Sequence, residues 1–202
     1  MTLGSKVIAA LERLGRVLRS VLLADALGED ISITQAQILL QCYLQPGRLY
    51  SVTELAEELD LTQPTISDSV TSLQRKGLLQ KLQREDDRRA VAVVLTAKGR
   101  ATAHRLWQRQ VRRFEKVLSH LSANQEVQLL HLLLQTIAAA YAEGVLRSAR
   151  TCLTCRFLRR LSTEHRERQP AYFCSFLEIP LDIPDLRILC PDHEPREEER
   201  VN

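Results

Sequence analysis

The stretch of residues 51–77 reads SVTELAEELDLTQPTISDSVTSLQRKG, and it decides the fold. Ser51 and Glu54 have the spacing of a capping box, which predicts a helix beginning directly after the serine. Thr62 is predicted to cap a second helix, with Pro64 in the first turn, where the missing amide of a proline costs little. The glycine that ends the stretch is typical of a helix end. The stretch therefore predicts two helices joined by a short turn.

The second helix of this pair has one apolar face and several polar ones. Ile66, Val70 and Leu73 recur at helical spacing, which predicts that they point into a core. The remaining faces carry polar side chains, namely Gln63, Thr65, Ser67, Asp68, Thr71 and Ser72. The helix is therefore expected to lie on the surface with its polar side outward.

A hairpin and several longer helices are predicted around this pair. Residues 78–83 and 90–95 are predicted as short strands separated by the charged turn 84–89. Apolar residues at helical spacing predict a helix over 6–27, a second over 34–44, and two long ones that begin after Thr96 and Ser122. Cys42 falls in the second of these helices and is expected to be a small core residue.

The overall composition is that of an ordinary soluble protein, with 45% hydrophobic and 26% charged residues. The net charge of +3 is only mildly basic, so a case for nucleic-acid binding depends on where the charges lie. The stretch between positions 75 and 89 contains six basic and three acidic residues, whereas the tail at 197–199 is acidic. Since no apolar run approaches the length of a membrane helix, we expect a cytoplasmic protein that does not enter membranes.

In this order along the chain, four features resemble the MarR-type winged helix: the capping box, the opening Thr-Gln-Pro-Thr-Ile-Ser, the charged hairpin, and a strand ending in Leu-Thr-x-x-Gly at 95–99. The resemblance extends from the first helix to about Val145. It implies a mainly α fold with a small β-hairpin wing, and a transcriptional regulator. Because the sequence has no Ser/His/Asp or Cys/His order and no glycine-rich phosphate loop, we do not expect an enzyme.

A helix of this kind fits the major groove of DNA and presents the side chains of its first turn to the base edges. Gln63 and Thr65 are the expected base readers. The resemblance implies that Arg88 and Arg89 of the wing contact the minor groove or the phosphates, with Asp86 orienting the first of them. The full set of predicted DNA-binding residues is Thr62, Gln63, Thr65, Ser67, Asp68, Thr71, Arg75, Arg88 and Arg89.

A homodimer on double-stranded DNA is expected, because proteins of this type read two half-sites about one helical turn apart. The first helix and the two long helices after Thr96 carry more apolar surface than a lone winged helix can cover, so these helices are predicted to form the dimerisation region. The resemblance also implies a small-molecule effector between the dimer helices and the winged region, and no residue identifies it.

Four of the five cysteines cluster near the C-terminus, at Cys152, Cys155, Cys174 and Cys190. A C-x2-C pair followed by two distant cysteines predicts a metal site that folds the segment around it. Zinc and an iron-sulfur cluster both suit four thiolates, with zinc slightly favoured, and His193 is an alternative fourth ligand for zinc.

Together these features divide the chain into a winged-helix DNA-binding and dimerisation domain at 1–146 and a small Cys-rich metal-binding extension at 147–202. We expect a sequence-specific regulator that responds to metal or redox state through the four cysteines. The alternative is a small-molecule-responsive repressor in which the site holds purely structural zinc.

Overall fold

The computed structural model describes residues 1–83, 91–161 and 170–196. Its contacts divide the chain into two compact units, Met1–Val117 and Leu118–Asn202. This division falls earlier than the boundary at 146/147 drawn from the sequence. The physical reason is that the last long helix packs against the cysteine segment, with Leu134 fully buried in their shared core.

The first unit is mainly helical with one antiparallel hairpin, which confirms the predicted fold class. Its elements are α1 (Leu3–Gly28), α2 (Ile33–Leu44), α3 (Val52–Glu58), α4 (Gln63–Arg75), β1 (Leu79–Gln83), β2 (Val91–Leu95) and α5 (Ala97–Leu118). No helix within the described ranges is both long enough and apolar enough to span a membrane.

The helix pair begins as the sequence predicts. The Ser51 hydroxyl accepts the backbone N–H of Glu54 at 3.1 Å, and the Glu54 carboxylate accepts the N–H of Ser51 at 2.7 Å. These two bonds satisfy amides that a helix start otherwise leaves without partners. A second capping box, between Ser32 and Gln35, starts α2 and was not predicted.

The core of the first unit takes side chains from all of its helices and from the hairpin. Ile66, Val70 and Leu73 are fully buried, as their spacing predicts. Cys42 is 8% exposed and belongs to the same core, where burial raises the pKa of its thiol to about 12. The expectation that Cys42 is a small core residue is therefore confirmed.

The hairpin pairs β1 with β2 in antiparallel register, and the backbone N–H of Val93 also donates to the Tyr50 carbonyl at 2.7 Å. The Leu-Thr-x-x-Gly motif at 95–99 stabilises the end of the hairpin through hydrogen bonds. The Thr96 hydroxyl donates to the Gly77 carbonyl at 2.7 Å and accepts the N–H of Gly99 at 3.0 Å. A Cβ at position 99 would lie 1.9 Å from the carbonyl oxygen of Leu78, so only glycine fits there.

The second unit contains α6 (Ala123–Ala142), a three-stranded antiparallel sheet and two 3₁₀ turns, Cys152–Thr154 and Ile183–Asp185. The strands are β3 (Leu158–Arg160), β4 (Tyr172–Cys174) and β5 (Ile179–Leu181), in the order β3-β4-β5. The sequence did not predict this sheet, because strands of three residues are too short to show alternation. Its buried cluster is small: Leu134, Cys152, Leu158, Tyr172, Leu181 and Leu186.

Candidate nucleic-acid interface and cysteine site

The outward face of α4 is polar and exposed. The predicted DNA-binding residues on and beside this helix are all exposed, namely Thr62, Gln63, Thr65, Ser67, Asp68, Thr71 and Arg75. On the opposite face, the side chains of Ile66, Val70 and Leu73 are fully buried. The helix is thus attached by one face and presents the other to solvent.

Side-chain hydrogen bonds order the first turn of α4. The Gln63 amide donates through Nε2 to Thr53 Oγ1 at 3.0 Å, which ties the start of α4 to α3. The hydroxyls of Thr62 and Thr65 lie 2.7 Å apart. Further along, the Thr71 hydroxyl donates to the Ser67 carbonyl at 2.9 Å, within its own helix. These hydrogen bonds hold the polar side chains of the first turn of α4 in defined positions.

Basic side chains lie near the end of α4 and at the start of α5. Arg75 is exposed in the last turn of α4. The Lys76 ammonium donates to the Asp30 carbonyl, and the Lys98 ammonium donates to the Lys76 carbonyl at 3.0 Å. The two lysines therefore hold backbone segments together. The wing residues Arg88 and Arg89, and Asp86 beside them, lie outside the described residues.

Ion pairs between α1 and α5 were not predicted from the sequence. Glu29 accepts from Arg105 at 2.6 Å and from Arg109 at 3.1 Å, and the buried carboxylate of Asp25 accepts from Arg113 at 2.7 Å. The hydrogen bond from Arg105 holds the pKa of Glu29 below its ordinary value. The sequence does contain a signal for these ion pairs. Arg105, Arg109 and Arg113 recur every fourth residue along α5, which places them on one face of the helix.

The four C-terminal cysteines line one small pocket. The described residues that line it are Cys152, Cys155, Cys174 and Cys190 together with Phe157, Leu158, Phe176, Leu177 and Asp192. Three of the cysteines are buried, and Cys174 is half-buried. The structure thus brings together all four cysteines that the sequence predicts as ligands.

Backbone pairing brings the three cysteine segments to this cavity. The Cys152 N–H donates to the Arg187 carbonyl at 2.9 Å, and the Cys190 N–H donates to the Arg150 carbonyl at 2.9 Å. Cys174 ends β4, where it pairs with Leu158 of β3. The cysteines therefore meet through nonlocal hydrogen bonds, which no sequence spacing reveals.

Two donors point at the sulfur atoms. The Arg187 backbone N–H donates to Cys152 Sγ at 3.1 Å, and the guanidinium of the same residue lies 4.0 Å from Cys190 Sγ. Burial, together with the neighbouring thiols, raises the pKa of Cys152. Within the described residues, no group of three or more His, Cys, Asp or Glu side chains has the geometry to hold a single metal ion.

His193, the alternative fourth ligand, is buried but is not part of the cavity lining. Its Nε2 lies 2.9 Å from the Thr154 hydroxyl. That hydroxyl also donates to the Ala149 carbonyl at 2.5 Å. His193 therefore contacts the backbone turn that carries the C-x2-C pair.

Helices α2 to α4, the β1-β2 hairpin and the bridge to Tyr50 together define a winged helix-turn-helix. Consistent with this class, the family model described as MarR family matches residues 29–90. The match spans about a third of the chain. No curated protein sequence matches the chain significantly.

Solved structures with the same fold include three regulators from different bacteria. The MepR-DNA complex of S. aureus has a TM-score of 0.55 at 20% identity and covers 65% of this chain and 95% of that one. Wild-type MarR of E. coli in its apo form has a TM-score of 0.54 at 20% identity, with 67% and 97% covered. A MarR-family transcriptional regulator from Rhodococcus sp. RHA1 has a TM-score of 0.57 at 17% identity, with 68% and 96% covered. About a third of this chain has no counterpart in them.

Proposed function

We propose that this protein is a sequence-specific DNA-binding transcriptional regulator that acts as a homodimer. The observation that carries the proposal is the division of α4 into a fully buried apolar face and an exposed polar one. A helix held in this way can enter the major groove without disturbing the core behind it. The MarR-family match and the fold shared with a DNA-bound MepR support the same function.

The contacts divide into those that read bases and those that bind phosphates. Gln63 and Thr65 stand in the first turn, where a recognition helix meets the base edges, and a glutamine can bond an adenine through both of its amide atoms. Arg75 is exposed at the far end of the helix, and we expect it to bind a phosphate, a contact that sets position rather than sequence. Arg88 and Arg89 complete the proposed interface from the wing.

The homodimer rests on apolar surface that α1 leaves exposed. Large apolar side chains are exposed at Leu3, Val7, Ile8, Leu11, Leu14, Val17 and Leu18 of α1. An apolar stripe this long is rare on a monomer and typical of a subunit contact. A second copy of the chain, related by a twofold axis, would cover it and present two α4 helices to two half-sites.

The test combines selection of DNA from a random pool with the substitution Gln63→Ala. The variant should lose about 1–3 kcal/mol of binding free energy on the selected site, because a bidentate base contact is removed. Binding to unrelated DNA should not change. Arg75→Ala should weaken binding to both DNAs and lower the slope of log affinity against log salt by about one.

Two controls separate base reading from structural effects. Thr53→Ala removes the partner of the Gln63 amide without removing the amide itself, so it should have a small effect on specificity. Gln128→Ala changes an exposed glutamine on α6 and should have none. If Gln63→Ala binds the selected site as tightly as the parent protein, α4 does not read bases through this residue.

We propose further that the four cysteines bind a metal centre through which the regulator responds to metal or redox state. The support is their arrangement around one cavity in a unit with few buried apolar side chains. Metal binding adds folding free energy where a core is small. Such a centre regulates DNA binding only if the competent and incompetent dimers bind it unequally.

A further inference from the structure

Arg187 contacts two of the four cysteines that line the pocket. Its backbone N–H donates to Cys152 Sγ at 3.1 Å, and its carbonyl accepts the N–H of Cys152 at 2.9 Å. Its guanidinium lies 4.0 Å from Cys190 Sγ. Cys152 and Cys190 belong to distant segments of the chain, so this one residue connects the first and the last cysteine of the site.

Both contacts present a hydrogen-bond donor to a sulfur atom. Cysteine binds metals as the thiolate, which carries a full negative charge and accepts hydrogen bonds more strongly than the weakly polar thiol does. Hydrogen bonds to the ligands are among the interactions that orient and tune a metal centre. Arg187 therefore offers Cys152 and Cys190 the donors that a ligating thiolate accepts.

The charge balance of the pocket gives the guanidinium a further role. Four thiolates carry more negative charge than one divalent cation neutralises, and Asp192 in the pocket lining adds a carboxylate. Negative charge that is partly removed from water is costly unless a cation lies nearby. The guanidinium of Arg187 is such a cation, since it lies 4.0 Å from Cys190 Sγ and 3.9 Å from Asp192 Oδ2.

Arg150 also contacts the Cys190 segment, but through different groups. Its guanidinium donates to the carbonyls of Cys190, Pro191 and His193, and its own carbonyl accepts the Cys190 N–H at 2.9 Å. All of these bonds are to backbone atoms. The side chain of Arg150 therefore stabilises the backbone around Cys190, whereas the side chain of Arg187 faces a sulfur atom and a carboxylate.

We propose that Arg187 is a positioning residue of the cysteine site. Its backbone holds the Cys152 sulfur in place, and its guanidinium offsets the negative charge of the thiolates beside Cys190. This rests on the proposed metal centre and applies to zinc and to an iron-sulfur cluster alike, since thiolates hold both. Because the side chain of Arg187 is 46% exposed, dissolved salt should screen its charge and weaken its effect.

The test measures how tightly the full-length protein retains metal after Arg187 is replaced by glutamine or lysine. The probes are Zn²⁺ alone and ferrous iron with sulfide in the absence of oxygen, and the quantity measured is the chelator concentration that removes half of the bound metal. Arg187→Gln should lower that concentration by about tenfold or more, as the loss of an outer-shell partner typically does. Arg187→Lys should recover most of the loss because it keeps the positive charge, and added salt should narrow the gap between the two variants.

Two further variants exclude other causes. Arg159→Gln makes the same change in net charge at an exposed position of β3 outside the pocket lining, so it should not affect metal retention. Asp192→Asn removes the carboxylate beside the guanidinium and should raise metal retention, since less negative charge then surrounds the centre. This opposite sign keeps the proposal testable even if Arg187→Gln fails to fold.

Three results would overturn the role of Arg187: unchanged retention in Arg187→Gln, equal losses in the glutamine and lysine variants, or weaker retention in Asp192→Asn. Each of them requires that the parent protein binds one of the probes, and each leaves the metal centre itself in place. A parent protein that retains neither zinc nor iron and sulfide would instead refute the metal centre, and the role of Arg187 with it.

Discussion

The two units reach a stable fold by different means. In the first unit, six helices and strands contribute fully buried side chains such as Leu39, Leu55, Ile66 and Val93 to a continuous core. In the second unit the buried cluster is small, and Cys152 is one of its members. Burial of apolar area, at about 25 cal/mol per Å², is thus a larger contribution in the first unit than in the second.

The second unit compensates with side-chain hydrogen bonds to the backbone. The Arg150 guanidinium donates to three carbonyls and that of Arg196 to two, at Cys190, Pro191, His193, Cys155 and Leu158. Hydrogen bonds of this kind each contribute about 1 kcal/mol net, which is little against the entropy of ordering the segment. The cysteine unit therefore needs a further source of stability, which the proposed metal centre would supply.

The largest expected effect comes from removing one ligand of that centre. Cys174→Ala should expose the backbone of β3 and β4 to rapid hydrogen exchange. The reason is that metal binding contributes directly to the folding free energy of such modules, by about 10 kcal/mol or more in zinc-finger peptides. The first unit should keep its protection. Hydrogen exchange measured by mass spectrometry on peptides from each unit checks both statements.

Cys42→Ala is the matched control for that experiment. It removes a sulfur from the apolar core of the first unit and should cost about 1–2 kcal/mol there, with no change in the cysteine unit. If Cys174→Ala leaves the protection of β3 and β4 intact, hydrogen bonds and the small core suffice, and the contrast between the units disappears.

The next effect in size concerns the hairpin of the first unit. Gly99→Ala places a Cβ 1.9 Å from the Leu78 carbonyl oxygen, and a backbone atom cannot move aside as a side chain can. We expect a loss of about 3 kcal/mol in the free energy of unfolding of this unit, measured by urea titration.

Gly28→Ala is the control, since its Cβ meets only the end of the Arg109 side chain at 4.0 Å, and it should change stability by less than about 1 kcal/mol. Equal stabilities of the two variants would contradict the tight approach at position 99.

The smallest effects are expected from the helix caps, which are alike in the two units. Ser51→Ala removes the capping box of α3, and Ser122→Ala removes the equivalent box of α6. Each should cost about 1 kcal/mol in the stability of its own unit and leave the other unchanged. Hydrogen exchange resolves the two contributions, and an effect of Ser122→Ala on α3 would show that the units unfold together.

Features of the first unit could be predicted because their causes are local. Ser51, Thr62 and Gly77 determine where helices begin and end through bonds to neighbouring residues, and the apolar spacing of α4 identifies its buried face. The structure places these elements at the predicted positions or within three residues of them. The MarR resemblance then supplied the order of the elements, which the family match over residues 29–90 supports.

Features of the second unit were missed because their causes are nonlocal. The strands β3 to β5 have three residues each, and they form only through pairing that joins distant segments such as Leu158 and Cys174. Packing of α6 on the cysteine segment depends on Leu134, which looks like any other leucine of an apolar helix. The sequence predicted which cysteines belong together, and it did not predict the cavity that they surround.

The most direct test of the central claim is a hydroxyl-radical footprint of the protein on its selected DNA. Two α4 helices from a symmetric dimer should protect two equivalent patches whose centres lie about one helical turn, 10–10.5 base pairs, apart. A single asymmetric patch, or protection that does not depend on DNA sequence, would contradict the account.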